Sequence, residues 1–109
     1  MVEQVLKLDS VFQALSNGHR RDILRRVSRT EQTAGRLAQT YGLTLAAVAK
    51  HFAILERAGL VLTEKRGKER FARLAPTGFQ DATQWLSYYE SYWNGQLDSL
   101  ERHLGVSHD

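Results

Sequence analysis

The sequence predicts a mainly α fold with one small β-hairpin. Three observations predict it: apolar residues recur at helical spacing, two short β-type runs flank Gly67, and hydroxyl and glycine residues stand where helices would start and stop. At 109 residues, 42% hydrophobic and 25% charged, the chain fits one domain, 1–109, with one modest core.

Val5, Leu8, Phe12 and Leu15 are spaced 3, 4 and 3, which predicts an amphipathic helix over residues 3–16, ended by Ser16-Asn17-Gly18. A second helix follows, with Ile23, Leu24 and Val27 inward and its arginines outward. Thr33 caps a short third helix with Leu37 and Ala38 on its inner side, and Gly42 supplies the left-handed residue that ends it. Thr44 caps a fourth helix that runs to Ala58-Gly59. Residues 60–66 (LVLTEKR) and 70–75 (RFARLA) form a hairpin about Gly67-Lys68-Glu69, and Pro76-Thr77 opens a last helix reaching Leu104. This order is the plan of a winged helix-turn-helix, with Ala38 where two helices cross, Gly42 in the bend and Val48 as apolar anchor.

The net charge of +3 is unevenly spread. Between His19 and Arg73 thirteen Lys/Arg face five Asp/Glu, a net of +8, while the flanks hold two against seven, a net of −5. A basic middle between acidic ends suits a face that binds a polyanion. No apolar run approaches the ~18 residues that span a bilayer, and MVEQVLKLDS lacks the basic-then-apolar order of a signal peptide, so a cytoplasmic protein with no membrane partner is expected. The absence of cysteine excludes disulfides, thiolate metal sites and thiol redox sensing.

On the fourth helix, Leu45, Val48, Phe52 and Leu55 fall on one side and are expected to face the core. Ala46, Lys50, Ala53 and Arg57 lie opposite, flanked by Ala47 and Ala49. Entering a major groove N-terminus first, such a helix brings its backbone close through the alanines, offers methyl contacts to thymine, and lets Lys50 reach a guanine edge or a phosphate. Ile54 projects away from the Leu45/Val48 side and is expected beneath the hairpin. Lys65, Arg66, Lys68 and Arg70 crowd the hairpin tip with only Glu69 for compensation, placed to touch the sugar-phosphate backbone or minor groove.

In the last helix Phe79, Ala82, Leu86, Tyr89, Trp93, Leu97, Leu100 and Leu104 make a nearly heptad seam, and Trp85, Tyr88 and Tyr92 make a second strip beside it. A monomer of this size can hardly cover both, so one strip is expected to meet a second copy, with the first helix as the other half of the interface. Val5, Leu8, Phe12, Trp85, Tyr89, Trp93, Leu97 and Leu100 are the candidate dimer residues. Which strip faces the partner stays open.

"FQALSNGHRRDIL" resembles the opening signature of the ArsR/SmtB-like bacterial repressors, and "GRLAQTYGLTLAAVAKHFAILERAGLV" resembles their helix-turn-helix, with Val48, Lys50, His51, Leu55, Ala58, Gly59, Leu60 and Val61 in matching places. The resemblance covers nearly the whole chain. It implies a homodimeric transcriptional repressor with a winged fold, a recognition helix starting near Thr44, and dimer contacts by the first and last helices. Ala49 stands where the family usually has serine, Ala46 and Ala47 replace polar or hydroxyl residues, and Arg36 stands where glutamate is frequent, which adds a phosphate contact. The cysteine cluster that binds metal in the third helix of many members is absent.

The last helix has no His-x-x-His or Asp-x-His pair, and histidines 19, 51, 103 and 108 share no ligand spacing, so no metal and no cofactor are expected. His51 is better suited to bonding a neighbour or a phosphate. With no nucleophile set and no phosphate-binding glycine loop, no catalysis is expected. The function expected is a sequence-specific, duplex-DNA-binding regulator of ArsR type, a homodimeric repressor that senses no metal. Its recognition helix contacts bases through Thr44, Ala46, Ala47, Ala49, Lys50 and His51, and Thr33, Arg36, Arg57, Lys65, Arg66, Lys68 and Arg70 hold the backbone. Two other uses stay open, a protein-interaction module working through the aromatic last helix and a metal-sensing repressor, as does a small-molecule or protein effector.

Overall fold

Asn17, Thr33 and Thr44 each place a side-chain oxygen on the backbone N–H three residues on, at 3.1 to 3.3 Å, and each opens a helix. The computed structural model describes the backbone of residues 2–105 and the side chains of residues 6–105. Its elements run α1 (Val2–Leu15), α2 (Gly18–Val27), β1 (Gln32–Thr33), α3 (Ala34–Tyr41), α4 (Leu45–Arg57), β2 (Val61–Arg66), β3 (Glu69–Leu74) and α5 (Gln80–Leu104). The expected mainly helical fold with a small sheet is the one found.

Left-handed glycines end α3, α4 and α5, and at the first two the backbone bonding shows why. Gly42 (φ +67°) and Gly59 (φ +79°) take the left-handed conformation. The amide of the glycine and the amide after it return to the preceding turn, Gly42 to Gln39 and Leu43 to Ala38, Gly59 to Glu56 and Leu60 to Leu55. These paired bonds are Schellman motifs, which satisfy the orphan carbonyls and turn the chain sharply. The first makes the turn between α3 and α4, and the second sends Leu60 into the core.

The sheet has three antiparallel strands in the order β1-β3-β2, with Val61 opposite Leu74 through to Arg66 opposite Glu69, and Thr33 opposite Phe71. Gly67 (φ +63°) takes the first place of the two-residue hairpin loop. Glu69, expected in the turn, is instead the first residue of β3. The short strand β1 has no counterpart in the sequence analysis, because two residues carry no periodicity and exist as strand only by pairing with β3.

Core residues come from every helix and from the sheet: Ile23, Leu37, Val48, Phe52, Leu55 and Leu60 are among the fully buried. Four expectations need correction. In α1 the buried face is Val11 and Ala14, with Leu8 and Leu15 half-buried beside it, while Phe12 turns to meet the Trp85 ring edge-on at 5.4 Å. Leu45 is 56% exposed rather than inward. It lines a groove together with Ala34 and Gly35, whose small size leaves no wall to cover it. Ile54 lies beside Ser10, Gln13 and Arg20 of α1 and α2, not beneath the hairpin, because the hairpin leaves from the other flank of α4.

The fourth concerns α5, which starts at Gln80 after a turn over residues 76–79 rather than at Pro76-Thr77. That turn is held by backbone contact: the Ala75 amide donates to the Leu60 carbonyl at 3.0 Å, and Gly78 lies against the Gly59 carbonyl, where no β-carbon would fit. Helix can begin only once the chain has cleared this docking.

Candidate nucleic-acid interface

With Val48, Phe52 and Leu55 buried, the remaining side of α4 faces outward. Ala46 and Lys50 are exposed and Ala47 and Ala49 half-buried. The Thr44 hydroxyl accepts from the Ala47 amide at 3.1 Å and that of Thr33 from the Arg36 amide at 3.3 Å, so both oxygens serve the helix caps. Ala34, Gly35, Leu45 and Ala49 form one side of a groove of about 320 Å³, and Lys65, Lys68, Glu69 and Arg70 form the other. Helix α4 and the hairpin thus share one surface, apolar on the helix side and cationic on the strand side. Leu45 is the member of this set that periodicity missed; its place directly after the cap, ahead of the first full turn, was the available signal.

Arg66 does not join it. As Lys65 and Lys68 face the groove, Arg66 projects to the opposite side of the strand, where its two terminal nitrogens meet Glu31 Oε1 and Oε2 at 2.8 and 2.9 Å. Glu64 takes a further bond at 2.9 Å, and the guanidinium lies 4.3 Å from the Phe71 ring centre. Hydrogen bonds to Glu31 and then Glu64 raise its pKa above the ordinary arginine value. The sequence saw only Glu69 as compensation, because Glu31 is remote in sequence from the hairpin.

Several arginines of the basic window are structural. Arg20 Nε donates to the Ala14 carbonyl at 2.7 Å and Arg21 to the Leu15 carbonyl at 2.8 Å, closing the C-terminus of α1. Arg26 pairs with Asp22 at 2.8 Å, and Asp22 also accepts from the Tyr41 hydroxyl at 2.5 Å. Those two bonds, that of Tyr41 first, hold the Asp22 carboxyl below its ordinary pKa. Burial, followed by the Asp22 bond, pushes the Tyr41 phenol up to about 12.

His51 bonds a neighbour: its Nδ1 lies 3.2 Å from Arg20 Nη1. A guanidinium only donates, so Nδ1 accepts and the neutral ring carries its proton on Nε2. Burial first, then the charges of Arg20, His19 and Lys50, lowers its pKa. Arg57 is exposed at the far end of α4, beside Gln13 and Arg20, roughly 16 Å along the helix from Ala46, and is not brought together with the hairpin.

Along α5 both apolar strips are uncovered: Trp93 is 59% exposed, Leu97 53% and Tyr88 76%, and Tyr89, Leu100 and Tyr92 are exposed as well. The aromatics therefore do not form an intramolecular core. Among the described residues Trp85 reaches α1, through Phe12. Leu8 is half-buried on α1, and the side chain of Val5 lies outside the described residues. Among the described residues no three His, Cys, Asp or Glu side chains gather as a metal site, and no helix is long and apolar enough to cross a membrane.

A helix-turn-helix whose second helix shares a groove with a basic hairpin defines a winged helix-turn-helix protein. Comparison with known proteins agrees. Residues 15–64 match the family model described as a helix-turn-helix domain. The transcriptional repressor SdpR of Bacillus subtilis is 28% identical over 79 residues, covering 72% of this chain and 88% of SdpR. A crystal structure of an ArsR family transcriptional regulator matches with a TM-score of 0.72 at 31% identity, over 86% of this chain and 94% of that one. The solution structure of a homodimeric winged helix-turn-helix domain from Mycobacterium bovis matches with a TM-score of 0.59 over 99% of this chain and 89% of its own. At 22% identity that likeness is one of fold alone. The chain belongs to the ArsR family of winged helix-turn-helix transcriptional regulators.

Proposed function

We propose that this regulator is a homodimeric repressor that recognises a duplex DNA operator, in the cytoplasm, without sensing a metal. The N-terminal half of α4 faces the bases through Ala46, Ala47, Ala49 and Lys50, with Thr44 setting its start. The hairpin grips the flanking backbone through Lys65, Lys68 and Arg70, helped by Arg36 at the start of α3. Thr33 serves as the cap of that helix, and Arg66 and His51 hold the frame rather than the nucleic acid. Arg57 is assigned an outlying backbone contact.

The observation that carries this reading is the shared groove, in which Leu45 and Ala49 of α4 face Lys65, Lys68 and Arg70 across about 320 Å³. A helix supplies base contacts and a cationic strand pair supplies phosphate contacts, the division of labour that duplex recognition requires. Dimerisation is supported by the uncovered strips of α5, with Leu8, Phe12, Trp85, Tyr89, Trp93, Leu97 and Leu100 at the junction with a second copy. Residues 1–109 act as one domain, and no catalysis belongs to this function.

The test is selection of bound duplexes from a random library, followed by a salt series on the selected sequence and on a scrambled one. A motif repeated about one helical turn apart is expected, bound selectively, with log K falling steeply as log salt rises. Equal binding to both duplexes would overturn sequence recognition, and absence of binding would overturn the DNA-binding function altogether.

A further inference from the structure

We infer that Leu45 recognises the 5-methyl group of a thymine in each operator half-site, an inference that rests on the DNA-binding function proposed above. Leu45 lines up by period with Val48, Phe52 and Leu55, each fully buried, yet more than half of its own surface is open. A large aliphatic side chain left in water at the first position of α4 forgoes the burial its neighbours obtain. In the monomer it contributes less than its buried neighbours on the same face do.

Its surroundings specify the occupant. On the helix side Leu45 has Ala34, Gly35 and Ala49 for neighbours, none with a hydrogen-bonding side chain, and across the groove stand Lys65, Lys68 and Arg70 with Glu69 the single acid. A ligand that fits must be anionic along one edge and apolar where it meets Leu45. Duplex DNA in the major groove has both features, since phosphates line the rim and the thymine methyl is the apolar group among the base edges. Residues 45 and 49 are four apart and so share a face, which lets the Ala49 methyl close the same small pocket. Side chains at 45, 46, 47 and 49 carry no donor or acceptor, so discrimination at this point is by methyl contact, and Lys50 is left to make the polar one.

The experiment crosses one substitution in the protein with one in the DNA. The selected operator is made with uracil in place of thymine at each position in turn, symmetrically in both half-sites, and bound by the native protein, by Leu45→Ala and by Leu45→Met. At one position uracil is expected to weaken native binding on the order of tenfold, from two methyl contacts worth about fourfold each. That penalty vanishes in Leu45→Ala and persists in Leu45→Met. Because Leu45 is exposed, thermal melting of both variants should match the native protein, which separates recognition from folding. If uracil costs nothing anywhere while the native protein still selects its operator, the inference is overturned and the DNA-binding function stands. A uracil penalty that survives unchanged in Leu45→Ala overturns it as well, as does a loss in Leu45→Ala that is equal on every duplex, which would place Leu45 against deoxyribose. Should no duplex be selected, both fall together.

Discussion

Arg66 at the end of β2 and Glu31 ahead of β1 form a two-point ion pair, Nη1 to Oε1 at 2.8 Å and Nη2 to Oε2 at 2.9 Å. The pair ties the loop end of the hairpin to the segment that leads into α3, so the cationic strand edge and the helix-turn-helix keep one relative position. With Glu64 as a third contact, the charge of Arg66 is already compensated within the protein. Each phosphate contact contributes about 0.9 to the slope of log K against log salt. Lys68→Ala is therefore expected to flatten that slope by about 0.9 per subunit, while Arg66→Ala leaves it unchanged although affinity falls. Glu31→Gln should steepen it, by removing one of the two carboxylate charges that compensate the guanidinium. A slope that flattens equally in Arg66→Ala and Lys68→Ala would make Arg66 a phosphate ligand instead.

Gly78 and Gly59 meet backbone to backbone. A β-carbon on residue 78 would stand 2.0 Å from the Gly59 carbonyl oxygen and 2.9 Å from the Leu60 α-carbon, and neither neighbour is a flexible side-chain end that can swing aside. Gly78→Ala is expected to destabilise the fold by about 1–3 kcal/mol, the range for forced overpacking. Urea unfolding checks this as a lower midpoint at unchanged m-value. Gly35→Ala, with nothing within 4 Å of its added carbon, is the control that should not lose stability by crowding.

These two contacts also mark the boundary of what the chain discloses before it is folded. Caps were legible, because Thr33, Thr44 and Gly42 act within three or four residues of themselves. The outward alanines and Lys50 followed from a 3.6-residue period anchored on Val48, Phe52 and Leu55. The late start of α5, the compensation of Arg66 and the use of Arg20 to close α1 were not legible, since each depends on a partner brought close only by the turns between elements. Leu45 obeys the period and still escapes the core. A period assigns a direction around the helix axis, and whether anything stands in that direction is decided by α3 and the hairpin.

Arg20 and His51 couple α2 to α4 through one hydrogen bond to a neutral imidazole. The folded state holds the His51 pKa below the ordinary 6.5, so it binds fewer protons than the unfolded chain in acid. The stabilising contribution is complete above about pH 6.5 and is lost as pH falls from there through the depressed folded pKa. The groups that oppose protonation are His19 and Arg20 on α2 and Lys50 on α4 itself. His51→Asn keeps an acceptor for Arg20 without a titrating ring. Between pH 7 and 5 its stability is expected to fall less than that of the native protein, as measured by urea unfolding at each pH. Parallel pH profiles for the two proteins would remove His51 from the account of acid sensitivity.

Helix α5 leaves Trp93 and Leu97 more than half exposed on one strip while Trp85 already packs on Phe12. That asymmetry orients the expected interface. The junction of α1 and α5 supplies a shoulder at Trp85, and the strip through Tyr89, Trp93, Leu97 and Leu100 runs on from it exposed. In a two-fold dimer every substitution counts twice. Leu97→Asp removes two buried leucines and places two carboxylates in the interface, and at roughly 2 kcal/mol per lost leucine it should weaken association about a thousandfold or more. Sedimentation of the native protein is expected to give a dimer, and of Leu97→Asp a monomer. The monomer should still melt cooperatively, because the α4 core does not involve residue 97. Duplexes selected by it should contain one half-site rather than two. If Leu97→Asp sediments as the native protein does, the partner sits on the Tyr88 and Tyr92 strip, and Tyr92→Asp becomes the substitution that separates the subunits.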